Sequence, residues 1–287
     1  MNKVGVVTDS VSCIPKDVIK QYDIKIVPIN LIIDGESYAD GVDIDTVDYY
    51  RRLKKFKELP TTSAPSPGAF YEAFRELSKT TDSAICITVT SELSATYDSA
   101  IKAAEQVSES KLSLEVKVVD SHSAAGAEGF MALAAARAAA DGKDIDRVLA
   151  AVHDVRSKVH LLAMLDTMHY LVKGGRVSRA AALAVSLFRI KPILELKPDG
   201  HQLELLERIR TKRRGKQRLI EIMRERTNDD RLHVNVHHAD AFDEADEMGE
   251  KIMKEFKCAE IYITNFTPVM GTHTGPGLLG LSFYSDD

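Results

Sequence analysis

The stretch Ala84-Ile85-Cys86-Ile87-Thr88-Val89-Thr90-Ser91-Glu92-Leu93-Ser94-Ala95-Thr96-Tyr97 starts as an apolar run, breaks into small polar residues and then opens a helical pattern. The run is short and rich in β-branched residues, which predicts a buried strand over 84–89, and the spacing after Ser94 predicts a helix over 95–108. A strand that runs into a helix belongs to a parallel sheet, because parallel neighbours need a crossover to join them. The same alternation recurs on both sides. Strands are predicted at 4–8, 26–29 and 116–119, and helices at 15–22, 45–57, 69–79 and 124–140. Between them lies a hydroxyl-rich loop, Pro60-Thr61-Thr62-Ser63-Ala64-Pro65-Ser66-Pro67-Gly68, which its prolines should keep rigid.

After a helix at 146–158 and a strand at 161–165 the pattern changes. From Pro192 a strand, a Pro198-Asp199-Gly200 turn and a second strand read as a hairpin, followed by helices at 216–226 and 243–256 flanking strands at 233–236 and 260–264. The fold class is α/β in two α/β domains. The N-terminal one, 1–160, has a mostly parallel sheet with flanking helices, and the C-terminal one, 161–287, has a mixed sheet with helices. A chain of 287 residues exceeds the size at which a single core usually stops growing.

Hydrophobic residues make up 44% of the chain and charged residues 28%, a balance that excludes a disordered protein. The 38 basic and 43 acidic residues leave a net charge of −5, the wrong sign for coating nucleic acid, so no nucleic-acid partner is expected. The apolar stretch 126–140 contains Glu128 and Arg137 and is too short to span a bilayer, so no stable membrane insertion is expected. The first residues run straight into a strand, and the chain is expected to be cytoplasmic and monomeric. Cys13, Cys86 and Cys258 are odd in number and scattered, which fits neither a disulfide framework nor a zinc site. No metal or cofactor is expected.

Three predicted strands end in small polar residues: Thr8-Asp9-Ser10, Thr88-Val89-Thr90-Ser91 and Asp120-Ser121-His122-Ser123. Ligands of open parallel sheets bind beyond the carboxyl ends of the strands. The same residue types also cap helices, but their recurrence at three tips favours one shared site. Ser94 is the sharpest candidate. As an N-cap it would bring its hydroxyl, the N–H groups of Ala95 and Thr96 and the positive end of a helix dipole to one point, which prefers a carboxylate or phosphate. Neither glycine-rich nucleotide motif is present, so a small anion is the better guess.

The remaining features weigh less. Asp120, Ser121 and His122 contain the residue types of a hydrolase triad, but no G-x-S-x-G elbow accompanies them. His237 and His238 lack metal-ligand spacing and read as surface residues. Lys173-Gly174-Gly175-Arg176 reads as a helix end whose glycines can take positive φ. His273 falls in the glycine-rich tail 271–280, read as an irregular loop. The basic cluster 208–218 is either a solvated helix start or a docking patch for an acidic or phosphate-carrying partner.

Taken together, these segments resemble the DegV family, bacterial fatty-acid-binding proteins that serve as the lipid-carrying subunit of fatty acid kinase. The motifs that carry the resemblance run the length of the chain. They are Thr8-Asp9-Ser10, Pro60-Thr61-Thr62-Ser63-Ala64-Pro65, Ser91-Glu92-Leu93-Ser94-Ala95-Thr96-Tyr97, Asp120-Ser121, Lys173-Gly174-Gly175-Arg176, Arg210-Thr211 and His273-Thr274-Gly275-Pro276-Gly277. The resemblance implies an acyl chain in an apolar tunnel, with its carboxylate held by the Thr62 and Ser94 hydroxyls and the Ala95 N–H. It places Ser63, Thr96, Ser121, Arg176 and His273 among the ligand-binding residues. It also links Arg210 and His273 to an ATP-dependent kinase partner that phosphorylates the bound carboxylate, so that the chain itself is a carrier. Ala64 stands where the family has glutamine, and Glu92 and Ala95 stand where glycines are common.

Two other readings stay open. One is a stand-alone enzyme acting on a small carboxylated or phosphorylated metabolite in the same crevice, which a histidine touching Ser94 would favour. The other is a regulatory binding protein that uses the basic cluster.

Overall fold

The computed structural model describes residues 3–177, 190–197, 203–227 and 231–286. Strands β1 (Val4–Asp9), β2 (Lys25–Val27), β6 (Ser83–Thr88) and β7 (Glu115–Asp120) form an all-parallel sheet in the order β2-β1-β6-β7. Between β2 and β6 the chain makes a small antiparallel sheet of β3 (Asn30–Ile33), β4 (Glu36–Ala39) and β5 (Thr61–Ser63), in the order β4-β3-β5. The hydroxyl-rich loop therefore contains a short strand, held against β3 by the pairing of Thr62 with Leu31.

The parallel strands are apolar throughout because both faces are covered. On one face Val7, Ala84 and Cys86 pack with Phe70 and Phe74 of α3 (Pro67–Leu77) and Ala100 and Ala103 of α4 (Thr96–Glu109). On the other, Val6, Ile85 and Ile87 meet the alanine-rich α5 (Ala125–Ala140), beside which α6 (Ile145–Lys158) lies. Helices α1 (Lys16–Tyr22) and α2 (Thr46–Leu53) join the same core, α2 burying Tyr49 and Tyr50.

A second sheet follows in the order β10-β9-β8-β13-β11-β12. It is built from β8 (His160–Met164), β9 (Lys191–Leu196), β10 (Glu204–Ile209), β11 (Leu232–His238), β12 (Cys258–Asn265) and β13 (Leu279–Ser285). Only β11 and β12 pair in parallel, which makes the sheet mixed. β9 and β10 are antiparallel, as a hairpin requires, and the expected turn at Pro198-Asp199-Gly200 lies outside the described residues. Helices α8 (Lys212–Arg226) and α9 (Phe242–Glu255) cover the outer face of this sheet. A short α7 (His169–Lys173) follows β8, and α10 (Pro268–Thr274) precedes β13.

Helix α5 lies between the sheets, touching β1 and β6 on one side and β8 and β13 on the other. Its glycines permit the approach. A Cβ on Gly129 would sit 2.3 Å from the Ser12 carbonyl oxygen, and one on Gly126 would sit 2.7 Å from both Asn235 Nδ2 and His237 Cε1. Among the described residues, no helix is long and apolar enough to cross a membrane.

Two expectations need correction. His237 and His238 are buried. The sequence hides this because the imidazole of His237 is satisfied inside, by the Thr264 hydroxyl at 2.9 Å and the Ser282 hydroxyl at 2.8 Å. Burial, reinforced by His238, pushes its pKa down to about 3, so the ring is neutral. The glycine-rich tail is also ordered differently, with His273 on the helix α10 and residues 279–285 in a central strand. The basic cluster leads into the start of α8, one of the two readings given for it, and Lys212, Arg214, Lys216 and Arg218 are ion-paired to Glu244, Glu221, Glu247 and Glu207.

Candidate ligand-binding site

A cavity of about 260 Å³ opens where the tips of β1 and β6 face the second sheet. Its body is apolar: Val11, Ile29 and Val89 from the first half of the chain meet Leu161, Leu196, Phe266 and Val269 from the second. Among the described residues its polar side chains are Thr62, Ser63, Ser94, Arg176, His273 and Thr274. Among the described residues, no cluster of His, Cys, Asp and Glu could hold a metal ion.

These polar groups are tied together across the sequence. The Thr62 Oγ1 and His273 Nε2 atoms lie 2.8 Å apart. His273 is backed by Gly174, where a Cβ would come within 2.4 Å of Nδ1. Arg176 donates from Nη1 to the Gly174 carbonyl at 2.7 Å and from Nε to the Leu93 carbonyl at 3.3 Å, bridging the turn after α7 and the loop that carries Ser94. Of the two glycines in that turn only Gly175 takes positive φ, at 70°.

Burial, together with the Arg176 charge, lowers the His273 pKa to about 4, so its imidazole is neutral at ordinary pH. Among the described residues, none partners the buried Nδ1. A buried imidazole tolerates an unpaired lone pair better than an unpaired N–H. With the proton on Nε2, the ring donates to Thr62 Oγ1. This leaves the Thr62 hydroxyl hydrogen free for an anion in the cavity.

Ser94 is arranged in a related way, though not as expected. The Thr90 carbonyl accepts from both Leu93 N–H and Ser94 N–H, a tight turn that delays the helix by one residue. Ala95 is then the N-cap, without a side-chain cap bond, and α4 starts at Thr96. The Ser94 hydroxyl lies 2.8 Å from the Thr96 hydroxyl, which is buried. With Thr96 donating, Ser94 can offer its own hydrogen to an anion beside the first-turn N–H groups. Glu92 is exposed to solvent and does not line the cavity.

The structure thus brings Thr62, Ser63, Ser94, Ala95, Arg176 and His273 to one cavity, with Thr96 directly behind Ser94. Ser121 does not line it. Its hydroxyl is buried in the loop after β7, donating to the Ser123 carbonyl at 3.0 Å. Arg210 is exposed at the end of β10, outside the cavity lining. Sequence reasoning missed the apolar walls from the second half, such as Phe266 and Val269, because nothing in their spacing points at a partner 170 or more residues away.

The fold is thus α/β with an apolar cavity between two sheets, and hydroxyls and Arg176 are among the described polar groups that line it. The chain belongs to the DegV family, whose model, described as that of an uncharacterised protein family, matches residues 3–286. It is 33% identical over 284 residues to a DegV domain-containing protein of Caldanaerobacter subterraneus, covering 99% of both chains. Protein DegV of Bacillus subtilis is 32% identical over 280 residues, covering 97% of this chain and 98% of that one. The solved structure of Bacillus subtilis DegV, described as a fatty acid binding protein, superposes with a TM-score of 0.90 at 31% identity over all of both chains. A stearic-acid-binding protein of Eubacterium ventriosum superposes with a TM-score of 0.90 at 26% identity, covering 99% of this chain and 98% of that one.

Proposed function

We propose that this protein binds a long-chain fatty acid, with the acyl chain in the cavity and the carboxylate on the Thr62 and Ser94 hydroxyls and the Ala95 N–H. In this reading residues 1–160 and 161–287 act as two domains that close on the ligand from either side, and the cavity belongs to a carrier. The acid is presented to an ATP-dependent kinase that forms the acyl phosphate, with Arg210 and His273 serving that encounter. The observation that carries the reading is the division of the cavity, an apolar body with polar groups at one end, where Thr62 is bonded to His273 and Arg176 to the Gly174 carbonyl. Each buried methylene contributes about 0.8 kcal/mol, so the chain supplies most of the affinity and the carboxylate contacts set orientation. Solved relatives of the family bind fatty acids.

The enzyme reading draws less support. His273 bonds Thr62, while Ser94 bonds Thr96. An imidazole with a pKa of about 4 is also a weak base at neutral pH. The test is Ser94→Ala, assayed for retention of a fluorescent fatty acid and for phosphorylation of the bound acid by a partner kinase. Weaker retention, or slower phosphorylation from a displaced headgroup, is expected. If neither changes, Ser94 does not hold the carboxylate.

A further inference from the structure

The Thr8-Asp9-Ser10 motif ends β1 in a group of buried acids that the lipid contacts leave unexplained. Asp9 is fully buried, and its carboxylate accepts the Val11 N–H at 3.0 Å through Oδ1 and the Val89 N–H at 2.8 Å through Oδ2. Val11 and Val89 both line the cavity. One residue beyond Val89, the Thr90 carbonyl anchors the Ser94 N–H. A single carboxylate therefore ties one cavity wall to the segment that positions Ser94.

Among the described residues, no cation lies against this carboxylate. Its side-chain partner is Glu128 on α5, also fully buried, whose Oε1 accepts from the Thr8 hydroxyl at 2.9 Å. The other oxygen, Oε2, is buried, and among the described residues no donor reaches it. Two ionised carboxylates in contact would repel, and one proton resolves both the repulsion and the orphan oxygen if Oε2 carries it and donates to Asp9.

We propose, on the basis of the fatty-acid reading above, that Asp9 is a positioning residue for the lipid site, a charged clamp on the Val11 and Val89 amides kept in place by a proton-bearing Glu128. The clamp loosens when Asp9 itself is protonated, because a protonated carboxyl has only one good acceptor oxygen for two amides. Burial, which outweighs the bonds from Val89 and Val11, raises the Asp9 pKa to about 7, and burial together with Asp9 raises Glu128 well above its ordinary value. The ionisable groups that act on the pair are Asp40 from the loop after β4, Asp120 at the end of β7, Cys13 in the turn after β1 and Cys86 on β6, all carboxyls or thiols.

Two near-isosteric variants and one titration test this. Glu128→Gln keeps a donor to Asp9 and an acceptor for Thr8, so retention of a fluorescent fatty acid at pH 8 should stay within about twofold of the parent. Asp9→Asn turns one acceptor into a donor facing an amide, and retention should fall about tenfold or more. In the parent protein the backbone amide resonances of Val11 and Val89 should move together with a common midpoint near neutrality as the pH is taken from about 8 to about 5. Loss of retention in Glu128→Gln equal to that in Asp9→Asn, unchanged retention in Asp9→Asn, or flat Val11 and Val89 resonances would each overturn the clamp. If the parent protein retains no fatty acid, the proposed function fails, and the amide titration still decides the clamp.

Discussion

Thr62 and His273 meet at 2.8 Å although 211 residues separate them in the chain, and their contact joins the small antiparallel sheet to the C-terminal helix α10. With its proton on Nε2 the neutral imidazole donates to the threonine oxygen, which leaves the hydroxyl hydrogen for a ligand in the cavity. Thr62→Val and His273→Ala should each weaken fatty-acid retention by up to about tenfold, and the double variant should lose little more than the worse single, because each removes the same oriented donor. A displacement titration on the four proteins measures the coupling, and additive losses would show that the two residues act separately.

Gly174 sets the position of that imidazole. In Gly174→Ala the new Cβ would lie 2.4 Å from His273 Nδ1 and 3.1 Å from the Tyr170 carbonyl oxygen, so the ring has to move. Retention should drop about as far as in His273→Ala, while the far-ultraviolet spectrum stays that of the parent. Parent-like retention would mean that the ring position does not matter.

Asp40 links the two ends of the chain, accepting from the Ser10 hydroxyl at 2.8 Å and the Val269 N–H at 3.1 Å. Burial, which outweighs its hydrogen bonds, raises its pKa from 3.8 to about 6. Between those two values the folded protein holds this proton more tightly than the unfolded chain does. Asp40 therefore lowers stability progressively as pH rises through that window, and the full cost is present above it. The stability difference between parent and Asp40→Asn, from urea unfolding at a series of pH values, should fall with rising pH across the window and level off above it. A difference that rises there would reverse the assigned sign.

Arg210 lies outside the cavity lining, so Arg210→Ala should leave fatty-acid retention unchanged and slow phosphorylation of the bound acid by a partner kinase. Equal phosphorylation rates in the two proteins would remove Arg210 from the encounter.

The sequence made the central strands legible where burial on both faces forced continuous apolar runs, as in β6, whose predicted span of 84–89 lies one residue from the observed Ser83–Thr88. It concealed elements stabilised by packing more than by local preference. β5 is three residues long between prolines, and it exists because β3 pairs with it. α10 contains Gly271, a poor helix former, because a Cβ there would lie 2.6 Å from the Tyr50 hydroxyl oxygen. The hydroxyls of the site were readable as types at a strand tip. Their orientation was not, since it depends on His273 and Thr96 standing behind them, and the choice of cap depends on the turn at Thr90.

The central claim, that the cavity holds a fatty acid, is tested most directly by mass spectrometry of the purified full-length protein under native and denaturing conditions. A native mass exceeding the denatured one by that of a long-chain fatty acid, with the free acid recovered on denaturation, is the predicted result. Identical masses, together with no mass shift after incubation with stearic acid, would contradict it.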